Sequence, residues 1–177
     1  EVPTTERVTY AGFVCDYRPL KPEPNRIRCV VGGDKLDCTI DSGAPTTNTL
    51  EFKLLVNSII SDAQKGARFF SLDINDFFLA SPMAKPKYMK MKYSLFPSDI
   101  IQKYNLQDKV SSDGHICIKI NKGMYGLKEA AILAYDQLTL FMRQSGYVHV
   151  SGTAGVWTHT ERKTVFCLCV DDVAIKY

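Results

Sequence analysis

Apolar positions change their period along the chain, and the changes mark out the elements. Over residues 48–63, Leu50, Leu54, Leu55, Ile59 and Ala63 recur at helical spacing. Asn48 stands at the cap position, and Glu51 three residues on completes a capping box. Gly66 follows the predicted end. Arg68–Ile74 reads as a strand, with Phe69, Phe70 and Leu72 followed by Asp73. Residues 88–93 alternate Met89, Met91 and Tyr93 against Lys90 and Lys92, and 116–120 alternate Ile116, Ile118 and Ile120 against Cys117 and Lys119. The segment 127–145 is the strongest helix: Leu127, Ala131, Ala134, Leu138 and Phe141/Met142 share a stripe, and Gly146 closes it. Strands are predicted near 154–159 and 164–170, and a last one from Val173. Residues 1–48 read as irregular, with prolines at 3, 19, 22, 24 and 45, apart from a strand at Arg26–Val31. Helices mixed with short, hairpin-joined strands predict an α+β fold, an antiparallel sheet covered by helices on one face.

Composition narrows the class. The 177 residues are 45% hydrophobic and 23% charged, which suits a globular domain and not a disordered one. No apolar run approaches the roughly 18 residues of a membrane helix, and no basic-plus-apolar leader stands at the start. The chain opens on Glu1 and stops at Tyr177 inside a strand pattern, so it reads as a piece of a longer polypeptide. A net charge of +3 does not by itself point to nucleic acid. Lys85, Lys87, Lys90 and Lys92, with no acid among them, form either a solvated strand edge or a phosphate-facing strip. The six cysteines (15, 29, 38, 117, 167, 169) lack metal-site spacing and read as buried free thiols of a reducing compartment. Cys167 and Cys169 are expected on one face of their strand.

Three segments carry candidate chemistry. Asp171-Asp172 lies between the apolar runs 165–170 and 173–175, where strand propensity disfavours acids. A solvated hairpin turn is the plain alternative. Asp73 ends another strand; if the strands 68–74 and 165–171 are neighbours, Asp73 and Asp171 lie side by side and call for a divalent cation, with Mg²⁺ suited to oxygen ligands. The alternative for Asp73 is a cap of a short helix over 75–80. Last, Lys122-Gly123-Met124-Tyr125-Gly126-Leu127-Lys128 places two glycines before the long helix, allowing close backbone approach or serving only as its lead-in.

Together these segments resemble motifs A, B and C of reverse transcriptases, and are most similar to the polymerase of copia-like LTR retrotransposons. That family carries Asp-x-x-x-Ala-Phe, Tyr-Met-x-x-Pro, Lys-x-Leu-Tyr-Gly-Leu-Lys-Gln-Ala-Pro and Tyr-Val-Asp-Asp. This chain reads Asp73-Ile74-Asn75-Asp76-Phe77-Phe78, Tyr88-Met89-Lys90-Met91, Lys122–Ala131 and Cys169-Val170-Asp171-Asp172, in the same order over about residues 26–177.

The resemblance implies the fingers and palm of a right-hand polymerase, with residues 1–67 as fingers and N-terminal arm and 68–177 as palm, interrupted by a fingers segment at about 85–122. It implies an RNA-directed DNA polymerase that joins a dNTP to a primer 3′-OH on an RNA or DNA template. Two Mg²⁺ ions, or Mn²⁺ in their place, would be held by Asp73, Asp171, Asp172 and the Ile74 carbonyl. Arg26, Arg28, Asp76, Phe77, Phe78, Tyr125 and Gly126 would bind the nucleotide, with Phe78 as a steric gate against a ribose 2′-OH. Lys128, Cys169 and Val170 would meet template or primer. The other implied partners are the thumb, RNase H and integrase of a retroelement polyprotein, in a cytoplasmic particle or in the nucleus, and no membrane.

Departures from the pattern leave rivals open. Cys169 replaces the motif C Tyr, and Glu129 and Ala131 replace Gln and Pro of motif B. The primer grip, thumb and RNase H would lie beyond Tyr177, so tight primer–template binding is not expected of this piece. A domesticated or decayed domain that only binds nucleic acid is one rival, and a metal-dependent nuclease is another. Cys38-Thr39-Ile40-Asp41-Ser42-Gly43-Ala44 also fits an aspartic-protease signature, but no bracing strand of the required type follows it.

Overall fold

The computed structural model describes residue 3, residues 5–38 and residues 43–177. Asp41 and its protease-like neighbours 39–42 lie outside the described residues. The chain divides into two compact units, one formed by Glu1–Ile40 with Pro82–Ala130, the other by Asp41–Ser81 with Ala131–Tyr177. Both mix helix and sheet, so the fold is α+β.

The first unit is built on a four-stranded sheet of β1 (Val8–Tyr17), β2 (Asn25–Val31), β4 (Pro82–Lys92) and β5 (His115–Lys122), in the order β2-β1-β4-β5. β1 and β2 are antiparallel, β1 and β4 parallel, β4 and β5 antiparallel. Residues 1–48 are therefore not irregular. β1 was hidden because Val8–Tyr17 is almost continuously apolar and does not alternate, and because one of its two partners, β4, lies far off in sequence. β4 has β5 on one side and, at Tyr88–Lys90, β1 on the other, so Lys90 is not on a sheet edge, although Lys85, Lys90 and Lys92 are exposed. The expected alternation holds: Met89, Met91, Ile116 and Ile120 are buried on one face, with Lys90 and Lys92 on the other. A short helix, α2 (Ser98–Tyr104), fills the β4–β5 connection and ends on Asn105 in the left-handed region.

The second unit holds a fully antiparallel sheet, ordered β3-β9-β8-β7-β6, of β3 (Phe69–Asp73), β6 (Tyr147–His149), β7 (Val156–His159), β8 (Val165–Cys169) and β9 (Asp172–Lys176). α1 (Thr49–Ser61) starts on the expected capping box: Glu51 N–H donates to Asn48 Oδ1 at 2.9 Å and Asn48 N–H to Glu51 Oε2 at 3.1 Å. The other Glu51 oxygen accepts from Ala154 N–H at 2.8 Å, so the cap also ties the helix to the sheet. This sharing of its charge among N–H donors, Ala154 first, holds the Glu51 carboxyl below its usual value.

α3 (Ala130–Gln144) begins later than predicted, because 127–129 are still turn. Met142, Tyr135 and Leu138 of α3 pack on Trp157, Phe166, Leu168 and Val173. Trp157 and Leu168 are each only 1% exposed, and such burial contributes about 1.5–3 kcal/mol per large apolar side chain. α1 lies on the opposite face, where Lys176 Nζ donates to Ser58 O at 3.1 Å and pairs with Asp62 at 2.6 Å. The helices thus cover both faces of this sheet and not one, because β8 is apolar on each side, with Val165 and Cys167 toward α1 and Phe166 and Leu168 toward α3. Only Cys167 is buried among the cysteines; Cys15, Cys117 and Cys169 are exposed and Cys29 and Cys38 half-buried. Cys15, Cys29, Cys117, Cys167 and Cys169 are free thiols.

Candidate active site

Asp73 is the last residue of β3 and Asp172 the first of β9, and they are direct cross-strand partners. The expected adjacency of β3 and β8 is not found, since β9 lies between them. Asp171 is not at a strand end either. With Val170 it forms the two-residue turn of the β8–β9 hairpin, closed by the partners Cys169 and Asp172. The backbone brings the turn to the end of β3: Ile74 N–H donates to Asp171 O at 2.8 Å, fastening the chain after Asp73 to the turn. Cross-strand partners present their side chains on one face. Cys169, Asp172 and Asp73 therefore stand in a row across three strands, with Asp171 at the hairpin tip.

Val170 has φ +61, and Asp76, just beyond Asp73, has φ +54. Positive φ is uncommon for any residue but Gly, and for a β-branched residue it is an outlier that other contacts must enforce. Val-Asp lacks the Gly or Asn that such hairpins favour. Residues 75–80 make turns instead of the helix that Asp73 was offered as capping, with Leu79 N–H donating to Asp76 O at 2.8 Å. Phe77 is 8% exposed, Phe78 is half-buried, and their rings are 5.6 Å apart.

Among the described residues, Asp73, Asp171 and Asp172 enter no ion pair. No group of three or more His, Cys, Asp or Glu side chains at metal-holding distance is found among them either. The donors assembled are carboxylates and a nearby backbone carbonyl, all hard oxygens, and this chemistry fits Mg²⁺. Beside Asp73 and Asp172 lies a cavity of about 630 Å³, lined on the sheet side by Phe69, Ser71, Cys167 and Cys169 and on the α1 side by Thr47 and Phe52. Cys167 and Cys169 share a face, as their spacing implies, and burial pushes the Cys167 thiol up. The cavity was not anticipated, although the period-2 pattern of 69, 71 and 73 was its signal.

The remaining predicted residues belong to the first unit. The Arg28 guanidinium carbon lies 5.5 Å from the centre of the Tyr125 ring, a cation–π contact. Tyr125 O accepts from Val31 N–H at 2.8 Å. Gly126 has φ +92, and a Cβ there would overlap the Val31 carbonyl oxygen. Gly126 is thus needed for both conformation and close approach. Arg26 lies two residues from Arg28, opposite Asp16 in register, and Lys128 is exposed. Glu129, which departs from the motif, is buried and pairs with Lys87 at 3.5 Å. Structure therefore groups Asp73, Ile74, Asp171 and Asp172 with Cys169 and Val170 in one unit, and Arg28 with Tyr125 and Gly126 in the other.

Compared with protein-family models, curated proteins and solved structures, the chain matches none. No helix among the described residues is long and apolar enough to cross a membrane.

Proposed function

We propose that this chain is the fingers–palm portion of an RNA-directed DNA polymerase of the copia-like kind. The observation that carries the reading is the pairing of Asp73 with Asp172 beside the Val170-Asp171 turn. It gathers acids of two separate motifs at one sheet edge, with no ion-pair partner among the described residues. Asp73, Asp171, Asp172 and the Ile74 carbonyl would hold Mg²⁺, which supplies charge neutralisation to the attacking and leaving oxygens of phosphoryl transfer. In the reaction the primer 3′-oxygen bonds to the α-phosphorus of a dNTP and pyrophosphate leaves. Arg28 offers the planar, permanently charged group suited to phosphate oxygens.

The test is Mn²⁺ binding to the intact chain, followed by electron paramagnetic resonance with and without dTTP. Wild type should bind the ion more tightly with dTTP present, while Asp73→Asn and Asp171→Asn should each weaken binding by about tenfold or more. Equal binding by all three proteins overturns the reading in favour of a non-catalytic domain.

A further inference from the structure

β3 is an edge strand of the second unit's sheet, paired with β9 alone among the described residues. Arg68 and Tyr177 exchange both backbone hydrogen bonds, at 2.8 and 3.2 Å, and Ile74 N–H donates to Asp171 O at 2.8 Å. Antiparallel ladders alternate, so Phe70 and Leu72 also direct their N–H and C=O groups to β9. Those of Phe69, Ser71 and Asp73 therefore point to the open side. All five residues of β3 are exposed, Phe69 at 50%, Phe70 at 52% and Leu72 at 38%.

An open sheet edge is a template for another strand, and proteins blunt such edges with cationic side chains, proline, irregularity or brevity. β2 carries Arg26 and Arg28, β5 carries Lys119 and Lys122, and β6 is three residues long. β3 has no such guard: its register with β9 is unbroken and its one charge is Asp73 at the end. Arg68, just before the strand, and Asp73 enter no ion pair among the described residues. Opposite charges at the two ends make the strand complementary to itself run backwards. With a two-fold axis through Ser71, every outward N–H and C=O of β3 finds a partner and Phe70 faces Leu72 of the second copy. Arg68 of each copy then comes beside the Asp73 end of the other, while the two Asp73 residues stay roughly 13 Å apart along the strands. Parallel pairing in register would set the two acids side by side.

We propose that β3 is a homodimerisation edge: two copies of this chain pair antiparallel through residues 69–73 and join their sheets. This does not depend on the polymerase reading. Such a pairing buries less than the roughly 1,200 Å² at the low end of standard interfaces, so the dimer is weak and concentration-dependent.

The experiment is sedimentation equilibrium of the intact chain from about 10 μM to about 1 mM, with hydrogen exchange at both ends of the range. The average mass should climb from one chain toward two and stop there. The amides of Phe69, Ser71 and Asp73 should gain protection with concentration, more than those of Phe70 and Leu72, which β9 already holds. Ser71→Pro should raise the dissociation constant by about tenfold or more with the fold intact by circular dichroism, because the N–H it removes faces away from β9. Should proline unfold the unit, Ser71→Lys sets two cations on the axis and should weaken the dimer as much. Phe13→Ser, which removes an exposed ring of the first unit, should change nothing. A chain that stays monomeric at about 1 mM overturns the proposal and leaves the edge to a strand of another polypeptide. Growth beyond two copies, an equal loss with Phe13→Ser, or association without protection of the outward amides overturns the two-fold pairing.

Discussion

Asp73 and Asp172 face each other across the antiparallel pair β3–β9, two like charges in direct cross-strand register. Such pairs are destabilising, by about 0.2–1 kcal/mol. Asp73→Asn should therefore raise the melting temperature at low ionic strength, and added salt should shrink the gain because both residues are exposed. Calorimetry at two salt concentrations checks this. An unchanged or lower melting temperature at low salt would show that the pair is not repulsive.

The hairpin tip carries a second conflict between local preference and site. Val170 at φ +61 costs about 1–2 kcal/mol relative to a residue that adopts this region freely. Val170→Gly should stabilise the second unit by up to about 1 kcal/mol, part of the relief being offset by the added freedom of the unfolded chain. Urea midpoints measure it. Destabilisation by this change would mean that the Val170 side chain is worth more than its strain.

How legible these features were depended on how local their causes are. The α1 capping box was readable because Asn48 and Glu51 lie within one turn and need no distant partner. That Asp73 and Asp172 lie near each other was legible only through motif order. Nothing near Asp73 announces that β9 and not β8 will lie beside it; that is settled by the β8–β9 hairpin returning the chain through Val170-Asp171. The parallel pairing of β1 with β4, which joins Thr9 to Met89, was illegible for the same reason, whereas its hairpin with β2 is local. The burial of Glu129 depends on Lys87, more than forty residues away on β4.

Acid should loosen the end of α1 from the sheet. Asp62 accepts from Lys176 and Lys65, chiefly Lys176, and these partners hold its carboxyl down at about 2 from an ordinary 3.8. A depressed carboxylate pKa gives stability that is complete above the unfolded value and lost as pH falls through the folded one. The contribution should fade between about pH 4 and pH 2. Asp62→Asn should flatten that part of the stability–pH curve, followed by urea unfolding at stepped pH. Parallel curves for the two proteins would remove Asp62 from the account.

Gly126 offers a test confined to the first unit. Gly126→Ala would put a Cβ onto the Val31 backbone in a φ +92 conformation. Left-handed backbone alone costs about 1–2 kcal/mol for an L-residue, and the overlap adds to it. The expected result is a loss of at least about 2 kcal/mol, with faster hydrogen exchange at the Val31 amide, whose acceptor is Tyr125 O. Retained stability and protection would show that the 124–127 segment can back away from β2.

The adjacent rings after Asp73 should separate packing from selectivity. Phe77 is 8% exposed and borders a space lined by Ile74, Ala134 and Leu138, so it anchors the turn against α3. Phe78 is half-buried and tilted at 53° to it. Truncating a buried Phe costs about 3–5 kcal/mol, and a partly exposed one less. Phe77→Ala should fall in the upper range in urea unfolding, and Phe78→Ala clearly below it. The polymerase reading assigns the second ring to the space under the incoming sugar, where its volume would clash with a ribose 2′-OH. In a longer polypeptide that contains this chain and extends primers, Phe78→Val should raise ribonucleotide use relative to deoxyribonucleotide use while the protein stays folded. Unchanged discrimination with Phe78→Val, combined with relaxed discrimination from a milder Phe77→Leu change, would move the gate to Phe77 and shift the register from Asp73 by one.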